Sequence, residues 1–184
     1  MKHEQIVSQL VIDTADFALR PLRISDAGLI RLHSSDVRVA KATRSIPHPL
    51  PPGVTEDFIR RAQSETREED VWAIDATAQG GPEVMGVIGL TRMEGNQSEI
   101  GYWVAPAYWN TGIASAAVAA IVEANPLDNR TLFASVFQDN PASARVLTNC
   151  GFEYIGDAES YSVARKANVA TWTYSRALGA RKQD

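Results

Sequence analysis

The sequence predicts a single mixed α/β domain built on a mostly antiparallel sheet. Three observations carry that expectation. Residues 71–77, 83–91 and 98–105 are strand-like runs separated by the turn residues Gln79-Gly-Gly-Pro82 and Glu94-Gly-Asn96, the pattern of an antiparallel meander. The third run leads through a small-residue loop into an apolar helix over 113–122 and out to another strand over 130–137. A strand–helix–strand crossover of that kind places its two strands parallel. At 184 residues, with 45% hydrophobic and 22% charged residues, the chain has the size and composition of one soluble domain with a proper core.

In order, residues 1–16 form a lead-in, residues 17–178 the domain and residues 179–184 a polar tail. Residues 17–23 form a first strand, where Pro21 favours an edge or a bulge. Ser25-Asp26 is an N-cap signal, and the helix after it turns Ala27, Leu29, Ile30 and Leu32 toward the core. A second helix covers 36–43. Four prolines in 45–53 exclude helix and central strand and make a stiff connection. A third helix runs from Thr55 to about Glu69, with a Glu/Arg-rich solvated face. Gly86 and Gly89 inside the second meander strand mark a close backbone approach or a bulge. Asn140, Pro141 and Gly151 are an N-cap, a first-turn proline and a C-terminal stop for a helix. Residues 152–156 and the alternating run 168–178 complete a hairpin. The 113–122 helix is apolar on nearly every side and is expected to be buried.

Charge and composition exclude several classes of function. A net charge of −4 and a pI near 5.4 argue against nucleic-acid binding, which wants a basic face. No apolar run reaches the ~20 residues of a membrane span, and the N-terminus lacks a signal-peptide core, so a cytoplasmic location is expected. The single cysteine, Cys150, rules out an internal disulfide and a cysteine-based zinc site, and no metal is expected.

The chemistry concentrates at the start of the apolar helix. Trp109-Asn-Thr-Gly-Ile-Ala114 is a loop that opens a helix. Unpaired backbone N–H groups converge there and the helix dipole adds positive potential, which makes an anion site from the main chain. Gly112 and Ala114 leave room for a phosphate, and Asn110 tolerates the left-handed conformation such a loop needs. The spacing Val104-x-Pro106-x-x-Trp109-x-x-Gly112-x-Ala114 resembles the coenzyme A pyrophosphate loop of the GNAT superfamily of N-acetyltransferases. Tyr108-Trp109 is similar to its RimJ/RimL-like branch. A second stretch, Asn140-x-x-Ser143-x-x-Val146-Leu147-x-x-x-Gly151-Phe152, resembles the second motif of that branch and lies one strand further on.

The resemblance implies a GNAT-type fold, with the mixed sheet splayed at its middle, and acetyl-CoA as cosubstrate. It implies direct transfer of the acetyl group to a primary amine, either a protein N-terminus or a small molecule. The main chain of Trp103 and Val104 would pair with the pantetheine arm, and the Val104 N–H would stabilise the oxyanion. Backbone amides from Asn110, Thr111, Gly112, Ile113, Ala114 and Ser115 would hold the pyrophosphate beside Trp109, with no basic side chain in the loop to help. Asn140 would bind a pantetheine amide, and Arg145 is a candidate for the 3′-phosphate. Glu99, mid-strand in an apolar run, is the candidate base, with burial expected to raise its pKa. The tyrosine that many members use as general acid is replaced here by Leu147, and the resemblance to the RimJ/RimL-like branch makes Ser143 the candidate acid. The first third of the chain would wall the acceptor cleft, where Arg44 and Tyr161 could meet the acceptor. Cys150 reads as packing. Dimers are common in the family, so a homodimer is compatible with the resemblance. A non-catalytic acyl-CoA-binding module of the same fold is the alternative.

Overall fold

The computed structural model describes residues 8–179. Its centre is an eight-stranded mixed sheet. The strands are β1 (Ile12–Asp13), β2 (Ala18–Pro21), β3 (Glu69–Asp75), β4 (Gly86–Met93), β5 (Gln97–Val104), β6 (Thr131–Phe137), β7 (Glu153–Ser162) and β8 (Ala167–Ala177). Their order across the sheet is β1-β2-β3-β4-β5-β6-β8-β7. Every neighbouring pair is antiparallel except β5 and β6, as the crossover argument requires. Helices α1 (Ala27–Ser34), α2 (Val37–Ala42) and α3 (Val54–Gln63) cover one face, and α4 (Ile113–Ala124) and α5 (Pro141–Asn149) cover the other.

The period-2 alternation of the strands feeds two cores. Trp72, Ile74, Ile88, Leu90, Ile100 and Val104 point to the α4/α5 face. Val71, Ala73 and Val87 point the other way, onto Ile30 and Ile59 of α1 and α3. The expected lead-in is tied down from Gln9 onward. Gln9 Nε2 donates to Val71 O at 2.7 Å and Trp72 Nε1 donates to Leu10 O at 2.7 Å, with β1 paired to β2. Residues 1–7 and 180–184 of the lead-in and tail lie outside the described residues.

Several sequence expectations give way. The third helix ends at Gln63, not near Glu69, because Glu69 and Asp70 already belong to β3. Buried Asp70 is held there by Arg67, three residues back, and by Arg92 Nη2 at 2.6 Å, a partner a local pattern does not show. The β3–β4 connection is a longer loop containing a 3-10 turn at Thr77–Gln79 rather than a tight hairpin. Leu32 faces solvent. So does one stripe of α4: Ala116, Ala119 and Glu123 are exposed, since alanine makes a helix apolar all round without requiring burial all round.

Asp26 stands at the N-cap position of α1, but its side chain bonds no amide of that helix and turns back to Arg23 in a capping box. It is fully buried and accepts from Arg20 Nη1 and Nη2 at 2.9 and 2.8 Å and from Arg23 N at 2.8 Å. Arg20 Nε donates to Asp75 at 2.6 Å. The Asp26 carboxylate, opposed only by burial, and Asp75 hold the Arg20 pKa above its usual value. Burial alone would push Asp75 up, but its bonds from Thr77 and Arg20 hold it below the ordinary carboxylate value. This network ties β2, β3 and the start of α1 together, and so fixes the wall of the cleft described next.

Candidate active site

β5 is paired with β4 along its whole length, from Gln97 to Val104. Its pairing with β6 covers only Gln97–Thr131, Ser98–Leu132 and Glu99–Phe133. Beyond Glu99 the two strands part, which leaves five residues of β5, roughly 16 Å of strand, with no neighbour on that side. Successive residues of a strand direct their N–H and C=O groups to opposite neighbours. Asn96 O accepts from Arg130 N on the β6 side, and Ala105 N donates to Met85 O on the β4 side. By alternation, the main-chain groups of Ile100, Tyr102 and Val104 face the gap, and those of Trp103 face β4. The partner of Val104 at the gap is therefore Tyr102, not Trp103. Trp103 contributes its ring instead, which lines the cleft edge-on to His33 at a centroid distance of 6.3 Å. Val104 O accepts from Trp109 Nε1 at 2.7 Å, and the Val104 N–H remains directed at the gap.

Gly86 makes this geometry possible. A Cβ there would sit 2.2 Å from Trp103 O and 2.9 Å from Val104 Cα. The expected close backbone approach is real, and only glycine permits it.

The loop that follows has the conformation its residues suggest. Asn110 and Gly112 adopt positive φ, 59° and 79°, and Gly112 caps α4. The Ala116 N–H is the first of the helix to find a carbonyl, Gly112 O. Among the described residues no backbone acceptor meets the amides of Asn110, Thr111, Gly112, Ile113, Ala114 or Ser115 ahead of it. Trp109 directly precedes them, 41% exposed, with the Arg38 guanidinium 5.2 Å from its ring centroid. Arg38, itself held bidentately by Asp36, thus brings a guanidinium from α2 close to a loop that carries no cation of its own.

On the far side of the gap, Asn140 caps α5. Its Oδ1 accepts the Ser143 N–H at 3.3 Å, and its Nδ2 lies 3.1 Å from Ser143 Oγ. The first bond fixes the amide orientation, so Nδ2 is the donor and Ser143 Oγ the acceptor. The hydroxyl proton of Ser143 is left free to donate elsewhere. Tyr102 OH crosses from β5 to donate to Ser143 O at 3.1 Å, and burial raises its pKa. Tyr102 is a site residue that the sequence offered only as one more aromatic in an apolar strand. Arg145 stands exposed on the outer surface of α5.

A cavity of about 670 Å³ occupies the α1–α3 side of the sheet and reaches the gap. Glu99, Trp103, Asn140 and Ser143 line it, as do Arg44 and Tyr161, the two residues considered for the acceptor. Ile46, Pro47 and Leu50 bring the proline-rich connection to its wall. Glu99 is not the isolated carboxylate the strand pattern suggested. It is ion-paired with Arg44 Nη2, and its side chain is 25% exposed. Cys150 lies elsewhere, buried, with its thiol toward Ser115 O at 3.4 Å and its pKa raised by burial, which suits packing and not nucleophilic attack. Among the described residues no cluster of His, Cys, Asp and Glu could hold a metal ion, and no helix is long and apolar enough to cross a membrane.

An open strand edge, a ring of exposed amides and a cleft between them are what a linear acyl-nucleotide needs. The acetyltransferase (GNAT) domain family matches residues 16–153. The chain belongs to this GNAT acetyltransferase family. Among individual proteins, an uncharacterized N-acetyltransferase of Bacillus subtilis, YoaA, is 32% identical over 97 residues, 50% of this chain and 55% of that protein. The chain therefore spans about half the length of this relative. Solved structures share the GNAT fold at low identity. The microcin C7 self-immunity acetyltransferase MccE, solved with acetyl-CoA and AMP, has a TM-score of 0.78 at 15% identity, over 94% of this chain and 98% of that one. The RimL ribosomal L7/L12 α-N-protein acetyltransferase, solved with coenzyme A, has 0.76 at 16%, over 92% and 98%. The spermidine N-acetyltransferase of Vibrio cholerae, with coenzyme A and spermine, has 0.75 at 14%, over 90% and 97%.

Proposed function

We propose that this chain transfers the acetyl group of acetyl-CoA to a primary amine by direct attack within a ternary complex. One observation carries the reading: the parting of β5 and β6 after Glu99 opens, beside the exposed amides that start α4, into a cavity holding a carboxylate and a free hydroxyl proton. Acetyl-CoA supplies an activated thioester; the chain supplies position, charge and proton transfer. Amides from Asn110 to Ser115 hold the pyrophosphate, with Trp109 beside it and Arg38 or Arg145 as cations for the outer phosphate. The gap-facing groups of Tyr102 and Val104 align the pantetheine arm as an added strand, with Asn140 Nδ2 donating to one of its carbonyls.

Glu99 accepts a proton from the attacking amine, directly or through water, once Arg44 yields its place to the incoming ammonium. The Val104 N–H donates to the carbonyl oxygen as negative charge gathers on it. Ser143 gives its free proton to the departing sulfur. The new bond joins the amine nitrogen to the acetyl carbon and the carbon–sulfur bond breaks; the ammonium nitrogen sheds two protons in all, one leaving through Glu99 to solvent and one replacing the proton that Ser143 gave to sulfur. The two motifs favour the RimJ/RimL-like branch, whose acceptors are protein N-termini and small amines; a cytoplasmic enzyme that forms a homodimer is in keeping with that branch. The non-catalytic coenzyme-binding alternative draws on one observation, the occupation of Glu99 by Arg44. A screen of free amines and N-terminal peptides with acetyl-CoA, read by released coenzyme thiol, tests the choice. Turnover with at least one amine is expected; tight acetyl-CoA binding with no turnover across the screen would favour the alternative.

A further inference from the structure

The floor of the cavity holds a second carboxylate that none of the steps above uses. Glu69 opens β3, and the register sets it opposite Thr91 of β4, which in turn sits opposite Glu99 of β5. Three residues aligned across three adjacent strands share one face of the sheet. Glu69 and Glu99 are therefore two strand spacings apart, about 10 Å. Both line the same cavity. Thr91 stands between them, and in the next row the floor is bare, because Gly89 and Gly101 face each other across β4 and β5. Gly89 also makes room for Glu69, since a Cβ there would lie 2.4 Å from Glu69 Oε1.

Glu69 is half-buried and poorly served. Among the described residues no group donates a hydrogen bond to it and no cation lies within ion-pair distance. Burial raises its pKa, opposed by the more distant positive charges of Arg61 and Arg44. Arg44 is engaged with Glu99, and Arg61 is on the exposed rim. A carboxylate that has given up water without a partner favours a ligand that brings N–H donors and positive charge.

We propose that Glu69 is an acceptor-binding residue that receives a second cationic group of the acceptor, about 10 Å from the nitrogen that reacts beside Glu99. The acceptor class is then an elongated molecule with two amines, or a peptide whose basic side chain trails its reacting amine. This rests on the acetyltransferase reading and narrows its substrate. Glu69 takes no part in the proton transfers; it sets which amines are held in line.

The test compares α,ω-diaminoalkanes with n-alkylamines of matched length, from ethane to decane, as acceptors for the full chain with acetyl-CoA. The expected result is a kcat/KM advantage of about tenfold or more for the diamine, confined to the longer members, as befits one charge-assisted hydrogen bond. Glu69→Gln brings the diamine-to-monoamine ratio down toward one. Gly89→Ala, which pushes the same carboxylate aside without removing its charge, does so too. Without acetyl-CoA, the long diamine raises the melting temperature of the wild type and not of Glu69→Gln. A ratio near one at every length in the wild type, or a ratio unchanged in Glu69→Gln, overturns the proposal. Failure of every amine in both series to turn over would instead refute the acetyltransferase reading, and this with it.

Discussion

Replacing Gly86 by alanine strikes the gap from β4 without replacing any residue that lines it. The new methyl would arrive 2.2 Å from Trp103 O, and ordinary contact begins at 3.4 Å, so the carbonyl must retreat by about 1.2 Å. The opposing atoms are backbone, fixed by pairing along all of β5, and no side chain can swing away. Overpacking of this kind typically costs about 1–3 kcal/mol. The displaced peptide joins Trp103 to Val104, and its N–H is the one directed at the gap. A shift of about 1 Å in such a group is enough to cost roughly 10²-fold in rate. Urea unfolding should therefore show the stability loss, and thiol-release kinetics a fall in kcat larger than the change in acetyl-CoA affinity, since the amides of Asn110–Ser115 lie beyond the disturbance. A variant with wild-type stability and wild-type kcat would show that the close approach of β4 and β5 does not set the position of Val104.

Asp26→Ala leaves the Arg20 guanidinium buried with Asp75, a backbone oxygen and the half-exposed Glu83 at 3.9 Å, and should destabilise by about 3–5 kcal/mol in urea titration; a loss below about 1 kcal/mol would mean that the network is expendable. Ser143→Ala and Glu99→Gln should each lower kcat by roughly 10²-fold while acetyl-CoA still binds; unchanged rates in both would strip these residues of their assigned roles. Glu69 gives a pH signature with a definite sign. Its native pKa is raised above the ordinary 4.5, so through that window the native state keeps a proton that the unfolded chain has released, and stability falls as pH rises. Glu69→Gln should accordingly be more stable than wild type at neutral pH, with the advantage shrinking below about pH 4.5; a wild type that is the more stable at pH 7 would contradict the desolvation of Glu69.

The sheet was legible because its residues obey short-range rules. Alternation marked the strands, glycine and asparagine marked the turns, and Gly112 and Asn110 announced the left-handed loop at the head of α4. The splay came only with the family resemblance, since neither β5 nor β6 carries a local sign of where its pairing stops. What escaped was set by side-chain partners that alternation and turn rules do not name. Asp26 reads locally as a cap, but Arg20 and the Arg23 amide claim it. Glu69 looked like the solvated end of a helix, and it became a cleft residue because Asp70 is anchored by Arg67 and Arg92 and starts the strand early. Glu99 stands out in its apolar strand and lines the cavity, but its Arg44 partner lies 55 residues away, past the proline-rich bend. Trp103 and Tyr102 differ only in which side of β5 their main chains face, a matter of register that no local pattern encodes.

The most direct measurement is an amide-resolved NMR titration with acetyl-CoA. The predicted result is saturable shifts concentrated at Tyr102, Val104 and Asn110–Ser115, with smaller ones at Asn140 and Ser143. Binding that leaves the Val104 and Gly112–Ser115 amides unmoved, or no binding at millimolar acetyl-CoA, would contradict the central claim that the parted strands and the head of α4 form one cosubstrate site.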